Sequence, residues 1–274
     1  MVKQFTVGMV VILALADGGC GGSKETIDTS SVEARFEKAR QLFDKEDYLQ
    51  AVTEFQAITL QFPGSTLADD AQFYLAECHY KRGEFLLAAY EFAELKRSYA
   101  ASPLVPNAQF KLGMCYYEMS PVSKLDQQYT QKARDELQAF VEYYPSNDSA
   151  ANADVYIREL TNRLAKKSYE TAQLYATMEY YKAATIYYDD VIENYHDTDF
   201  APPAYLGKIQ ALMARKKYRE ADIEVTRFIT TFPNSVFRSQ ADKLKKDIED
   251  AIGSGSDRST GQKEISSGIQ QRLQ

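Results

Sequence analysis

From Ser31 onward the alternation of apolar and polar positions repeats itself. The segments AQFYLAECHYKRGEF (71–85) and AQFKLGMCYYEMS (108–120) share alanine, glutamine, phenylalanine, leucine, cysteine and tyrosine at an offset of 37 residues. Three stretches close alike, QFPGS (61–65), YYPSN (143–147) and TFPNS (231–235), each an aromatic residue, a proline and small turn residues. Proline at such a place blocks continuation of a helix and fixes the turn. Inside each unit a small residue is followed twelve positions later by alanine, then four later by an apolar or aromatic residue, and often by proline twelve after that alanine.

The first unit carries Ala39, Ala51, Phe55 and Pro63, and the second Ala76, Ala88 and Phe92, with Ala100 in place of proline. The third has Gly113, Ala133, Leu137 and Pro145, and the fourth Ala172, Ala184, Tyr188 and His196. The fifth has Ile209, Ala221, Val225 and Pro233, so isoleucine replaces its small residue. Two helices packed about 8–10 Å apart leave no space for a long side chain at their closest contact. Alanine fits there, and the residue four positions on packs one turn further along the same face. In tandem, this spacing is the tetratricopeptide-like (TPR-like) pattern. The expected fold is all-α, a superhelical solenoid of about five TPR-like helix pairs, with the first helices along its inner side.

Two irregularities divide the solenoid. Gly113 to Ala133 spans twenty positions rather than twelve, so the stretch 120–127 is expected to protrude as a loop between the two helices. Residues 152–175 carry no turn signal and read as one long helix, or two nearly continuous ones. Repeats 1–3 are thus assigned to 32–148, and the connecting helix with repeats 4–5 to 149–252. A polar, Gly/Ser-rich tail at 253–274 is expected to be disordered.

The N-terminus has another character. Residues 1–19 have a lysine at position 3 and a mostly apolar run from Phe5 to Ala16, the length of a signal-peptide core and too short for a permanent span. Gly19 and Cys20 resemble the end of a bacterial lipobox, with Cys20 as the lipidated residue, although Asp17 stands where that motif is usually apolar. The alternative is ordinary cleavage with Cys20 as a bystander. Residues 20–31 would form a flexible tether from lipid to folded body.

Composition narrows the chemistry. The 274 residues have 20 tyrosines, no tryptophan and a formal net charge of −7. An acidic chain is a poor nucleic-acid partner, because phosphate binding needs a basic surface. Two histidines, His79 and His196, leave little material for a metal site or catalytic triad. Neither a phosphate loop nor a metal-ligand cluster stands out, so no enzyme activity, no metal and no cofactor beyond a covalent lipid is expected. Cys78 and Cys115 hold the same place in adjacent units. Neighbouring helices lie too far apart for a disulfide, so both are expected to be buried free thiols.

In register on the first helices lie Phe36, Phe73 and Phe110, and a second row of Phe43, Tyr80 and Tyr117. Between them fall Arg40, Glu77 and Met114. Such an aromatic ladder suits a groove that grips an extended or helical peptide. The competing reading is that the rings pack between neighbouring helices. A basic loop, Arg215, Lys216, Lys217 and Arg219, either faces a partner or is a solvated helix end.

The whole pattern, and most specifically the stretch 126–184 (DQQYTQKARDEL…MEYYKAA), resembles the BamD family of outer-membrane lipoproteins (YfiO/ComL) of the β-barrel assembly machinery. That resemblance implies a periplasmic protein held by lipid at the outer membrane. Its partners would be the POTRA domains of a BamA-like barrel insertase, unfolded outer-membrane β-barrel clients and other accessory lipoproteins. The chain departs from the family in the insertion, with Leu125, Asp126 and Gln127, and at Pro202 and Pro203 before the fifth unit. The other function weighed is a periplasmic TPR adaptor of the Tol–Pal system (YbgF/CpoB-like), which usually carries an N-terminal coiled coil that this sequence lacks before Glu33.

Overall fold

A computed structural model describes residues 31–255. The signal segment, Cys20 with its tether, and the tail from 256 onward lie outside the described residues. Within them the chain is eleven α-helices: α1 (Val32–Asp44), α2 (Tyr48–Gln61), α3 (Ala68–Lys81), α4 (Phe85–Ser98), α5 (Val105–Glu118), α6 (Gln128–Tyr143), α7 (Ala150–Thr177), α8 (Tyr181–Asn194), α9 (Ala201–Ala214), α10 (Tyr218–Thr231) and α11 (Arg238–Gly253). They form five hairpins, α1/α2, α3/α4, α5/α6, α7/α8 and α9/α10, with α11 closing the stack. Each helix packs chiefly on its neighbours in sequence. In addition α5 touches α7, α7 touches α9 and α9 touches α11, while second helices of successive hairpins reach no comparable contact. The first helices therefore lie on the inside of the curve.

The repeating residues are the ones that seal each hairpin. Ala39, Ala51 and Phe55, then Ala76, Ala88 and Phe92, are wholly buried, as are Ala133, Leu137, Ala172, Ala184, Ile209, Ala221 and Val225. The small residue is required where it stands. A Cβ on Gly113 would come within 2.7 Å of Leu137 Cγ. A second close approach, which the repeat did not signal, puts the Tyr188 ring of α8 where a Cβ on Gly207 of α9 would lie, 2.3 Å from Cζ.

Helix ends follow local chemistry. Ser31 and Asp47 cap α1 and α2 by accepting from the Ala34 and Gln50 amides. Pro202 and Pro203 sit in the first turn of α9, where backbone N–H groups have no intrahelical partner to lose. Four hairpin turns share one geometry, with Glu46, Gly83, Glu179 and Lys216 at φ near +60 to +74°. In each, two amides bond back to carbonyls of the last turn, as Glu46 N–H to Phe43 O and Asp47 N–H to Leu42 O do. Glycine occupies this left-handed position only once.

A second internal rule ties the two helices of a hairpin together. A glutamate three residues after the second-helix alanine is held by the first helix in four hairpins. Lys38 binds Glu54 and Lys208 binds Glu224, both at 2.7 Å. Gln72 donates to both the carbonyl and the carboxylate of Glu91, and Gln109 does the same to Glu136. In the fifth hairpin Asp189 of α8 joins at 2.5 Å, making Lys208 a hub between two carboxylates.

The third hairpin lacks the tight turn, and the insertion does not project freely as expected. It folds back on α7. Arg163 donates to the carbonyl and hydroxyl of Ser120, Lys167 to the Lys124 carbonyl, and Ser123 to Glu170. Polar groups of a loop need partners, and α7 presents basic and acidic side chains at the right height. Val122 and Leu125 alone keep large exposed apolar surface there. The connecting segment is one continuous 28-residue helix. Its first half packs with Leu137 and Phe140 of α6, its second half with α8 and α9.

Candidate peptide groove and partner-facing loop

The two aromatic rows sit on the inner helices, half-buried, each ring edge-on or tilted against a neighbour. Phe36 meets Phe55 at 5.7 Å and Tyr74 at 6.2 Å, and Phe43 meets Tyr48 and Tyr74. Phe73 lies against Phe92 and Tyr80 against Phe85. Phe110 packs on Phe140, and Tyr117 on Tyr156 of α7 at 4.8 Å. The rings therefore join helices within a hairpin and, at Tyr74 and Tyr156, one hairpin to the next, while staying partly exposed.

The middle row differs along its length. Arg40 is accessible, its guanidinium 4.0 Å above the Tyr74 ring and 3.7 Å from Asp44. Glu77 is only 7% exposed and Met114 only 8%. As groove contacts these two are corrected to packing positions: Glu77 lies under Lys111 at 2.8 Å, and Met114 belongs to the third hairpin's core. Residues closer to the next hairpin take over the surface.

Three cations stand over ring faces along this side: Arg40 over Tyr74, Lys111 over Tyr80 at 4.9 Å, and Arg163 over Tyr117 at 5.9 Å. Tyr74 and Lys111 occupy one repeat position, 37 residues apart, and that offset was the signal for them in the sequence. Arg163 and Tyr156 lie in the non-repeating half of α7 and had none. The Tyr80 hydroxyl donates to Glu118 and the Tyr117 hydroxyl to Glu159 at 2.8 Å. Burial, reinforced by Glu118, pushes the Tyr80 phenol well above its ordinary value. Burial and the bond to Glu159 push Tyr117 up to about 12. Both are neutral donors at physiological pH. The surface thus presents ring edges, cations and phenol hydroxyls, each held in place by a neighbouring side chain.

Nothing nucleophilic stands in it. Cys78 and Cys115 are free and buried, with thiols raised to about 12 by burial. His79 is 2.7 Å from Glu84 across the hairpin turn.

The basic loop is split in role. Lys216 holds the left-handed turn position. Lys217 pairs with Glu220 at 2.6 Å, and Arg219 is exposed at the start of α10 with an interaction of its own. Arg215 instead borders an open depression of about 550 Å³ lined by Tyr180, Tyr181, Ala183 and Ile186. Ile186 and Ile223, 37 residues apart on outward positions of α8 and α10, are both strongly exposed beside it. The sequence pattern singles out the charges and hides this apolar surface.

Residues 28–214 match the family described as YfiO, outer membrane lipoprotein. The outer membrane protein assembly factor BamD of Rickettsia prowazekii (strain Madrid E) is 22% identical over 241 residues, spanning 88% of this chain and 96% of that protein. Among solved structures, the TPR domain of P58(IPK) is 16% identical, covering 80% of this chain and 56% of that one with a TM-score of 0.42. The TPR2AB domain of yeast Sti1, solved with pHSP90, is 15% identical, covering 88% and 95% at a TM-score of 0.37. The helices described above establish the all-helical solenoid by themselves. Matched over well more than half its length, the chain belongs to the YfiO family of outer membrane lipoproteins.

Proposed function

We propose that this protein is a lipid-anchored periplasmic scaffold of the β-barrel assembly machinery, binding unfolded outer-membrane clients in its inner groove and the POTRA domains of a barrel insertase through its C-terminal hairpins. The row of half-exposed rings with cations above them on hairpins 1–3 carries the first half of this reading. The relative's name, an outer membrane protein assembly factor, supports the setting. Among the described residues no helix is long and apolar enough to cross a membrane, and attachment is assigned to Cys20 and its lipid. Arg215 beside the Tyr180–Ile186 depression supplies a mixed basic and apolar surface for the insertase, and accessory lipoproteins would complete the assembly. The protein acts by binding and not by catalysis.

Two measurements test it. A fluorescent peptide of the last strand of an outer-membrane β-barrel is titrated with the purified chain. Arg40→Glu is expected to weaken binding about tenfold while lowering the melting temperature by only a few degrees, the cost of its contacts with the Tyr74 ring and Asp44. Unchanged affinity in Arg40→Glu, Phe73→Leu and Tyr80→Leu would sink the groove. Pull-down from solubilised outer membranes is expected to recover a barrel protein with POTRA domains, and recovery of Tol or Pal components instead would overturn the assembly role.

A further inference from the structure

Each hairpin in a solenoid turns one flank toward the hairpin before it. Two residues after the small first-helix position, that flank is sealed in hairpins 2, 3 and 5, where Cys78, Cys115 and Ala211 are buried. Cys78 packs with Phe55 and Ile58 of α2, and Cys115 with Phe92 and Leu95 of α4, so a preceding second helix is the cover.

Two hairpins lack that cover. The first has no described helix before it. The fourth lacks it because α6 packs on the opening half of α7 and makes no comparable contact with α8. The pinned insertion does not fill the gap, since its last bond to α7 is at Glu170 and Leu174 beyond it stays 59% exposed.

At three equivalent positions these flanks differ in kind. Hairpin 1 has Gln41, Lys45 and Glu54, all polar. Hairpin 4 has Leu174, Met178 and Tyr187. Met178 is 52% exposed, and the Tyr187 ring stacks on Tyr175 with centroids 5.4 Å apart. Contiguous exposed apolar surface of this kind marks an interaction site.

We propose that the flank of hairpin 4 formed by Leu174, Tyr175, Met178 and Tyr187 docks an amphipathic helix of a partner protein, laid where hairpins 2, 3 and 5 receive a preceding second helix. The occupant is helical because the solenoid covers the equivalent flanks of hairpins 2, 3 and 5 with a helix, and helices seat at about 8–10 Å from such a face. Its contact stripe is apolar, at i, i+3, i+4 and i+7 spacing, because the flank has lost the charged and amide groups that hairpin 1 retains. This site is separate from the peptide groove and does not depend on the assembly role.

The test places a benzophenone amino acid at Leu174, with Gln41 as the matched control, in the full chain in membranes of its host. Cross-linked peptides are then sequenced. The expected adduct at 174 is a segment of one other protein with apolar residues at helical spacing, with little or none at 41. Moving the cross-linker to Tyr187 and adding Leu174→Arg with Met178→Arg should cut that adduct about tenfold or more, as removal of central contacts does. Both side chains are exposed, so that variant should melt within about 2 °C of the parent and bind client peptide in the groove as before. The proposal falls if no adduct forms at 174. It also falls if the adduct is a second copy of this chain, its own segment 256–274 or an extended strand, or if the adduct survives the arginine pair.

Discussion

Hairpins 1–3 and hairpins 4–5 are cut from one pattern and present different inner surfaces. Where the first three carry Phe36, Phe73 and Phe110 and then Phe43, Tyr80 and Tyr117, the last two carry Tyr169 and Leu206 and then Ala176 and Met213. The accessible middle position is Arg40 in the first hairpin but Gln173 and Gln210 in the last two. The sealing positions stay small or apolar throughout, because they answer to the distance between helices. The inner positions are only partly engaged in packing, so their chemistry varies more from hairpin to hairpin. One scaffold is thereby free to hold an aromatic, cation-bearing surface at one end and a milder one at the other, with the basic and apolar outer patch around Arg215 at that second end.

The comparison is broken most forcefully from within each core. Phe140→Ala and Phe228→Ala remove fully buried rings, one from each half, and each should cost about 3–5 kcal/mol in urea unfolding. Hydrogen exchange should then show Phe228→Ala loosening α9–α11 while α1–α4 keep their protection. Equal loss in both halves would mean the halves do not differ in stability domain. A sharper cut uses one repeat position in two settings. Lys208 is 12% exposed between Asp189 and Glu224, so Lys208→Met leaves two carboxylates unbalanced and should cost about 3 kcal/mol. Lys38 is 39% exposed on Glu54, and Lys38→Met should cost under about 1 kcal/mol. Matching losses would show that burial does not set the difference.

Alkali probes both ends at once. Tyr117 in the first half and Tyr188 in the second are both raised to about 12, chiefly by burial. A raised phenol adds stability that is complete below the unfolded value near 10 and is lost as pH climbs through the folded one. Tyrosinate absorbance should therefore lag for these two, and stability should fall between about pH 10 and 12. Tyr117→Phe deletes the bond to Glu159 as well and should flatten the first-half contribution, whereas Tyr188→Phe leaves no such partner behind. The smallest expected effect lies in the turns. Gly83→Ala should lose about 1 kcal/mol, and Glu179→Gly, at φ 61°, should gain up to about 1 kcal/mol. A gain at Gly83 would mean the left-handed turn is unstrained for side chains there.

The hairpins are legible in the sequence because Ala39, Ala88 and their counterparts are dictated by close contact, and close contact leaves a period. The long helix is legible as a missing turn signal. Glu77 and Met114 mislead because helical register shows which face a residue shares but not how far the next hairpin overlaps it. The insertion misleads because its partners, Arg163 and Lys167, lie 43 residues from Ser120 and Lys124 in a stretch with no repeat. The Tyr180–Ile186 depression is hidden because exposure on outward helix positions has no periodic mark apart from that of the core beneath it.

The unbroken α7 sets more than the order of the hairpins. Its 28 residues run about 42 Å, and each residue advances the helix by about 100° of rotation. The azimuth between the aromatic surface and the Arg215 patch is therefore encoded as a count. Adding one alanine near its middle would rotate one end against the other by more than a quarter turn, while adding seven would bring the two nearly back into phase about 10 Å further apart. The residue count of this one helix thus fixes both the angle and the distance between the two ends.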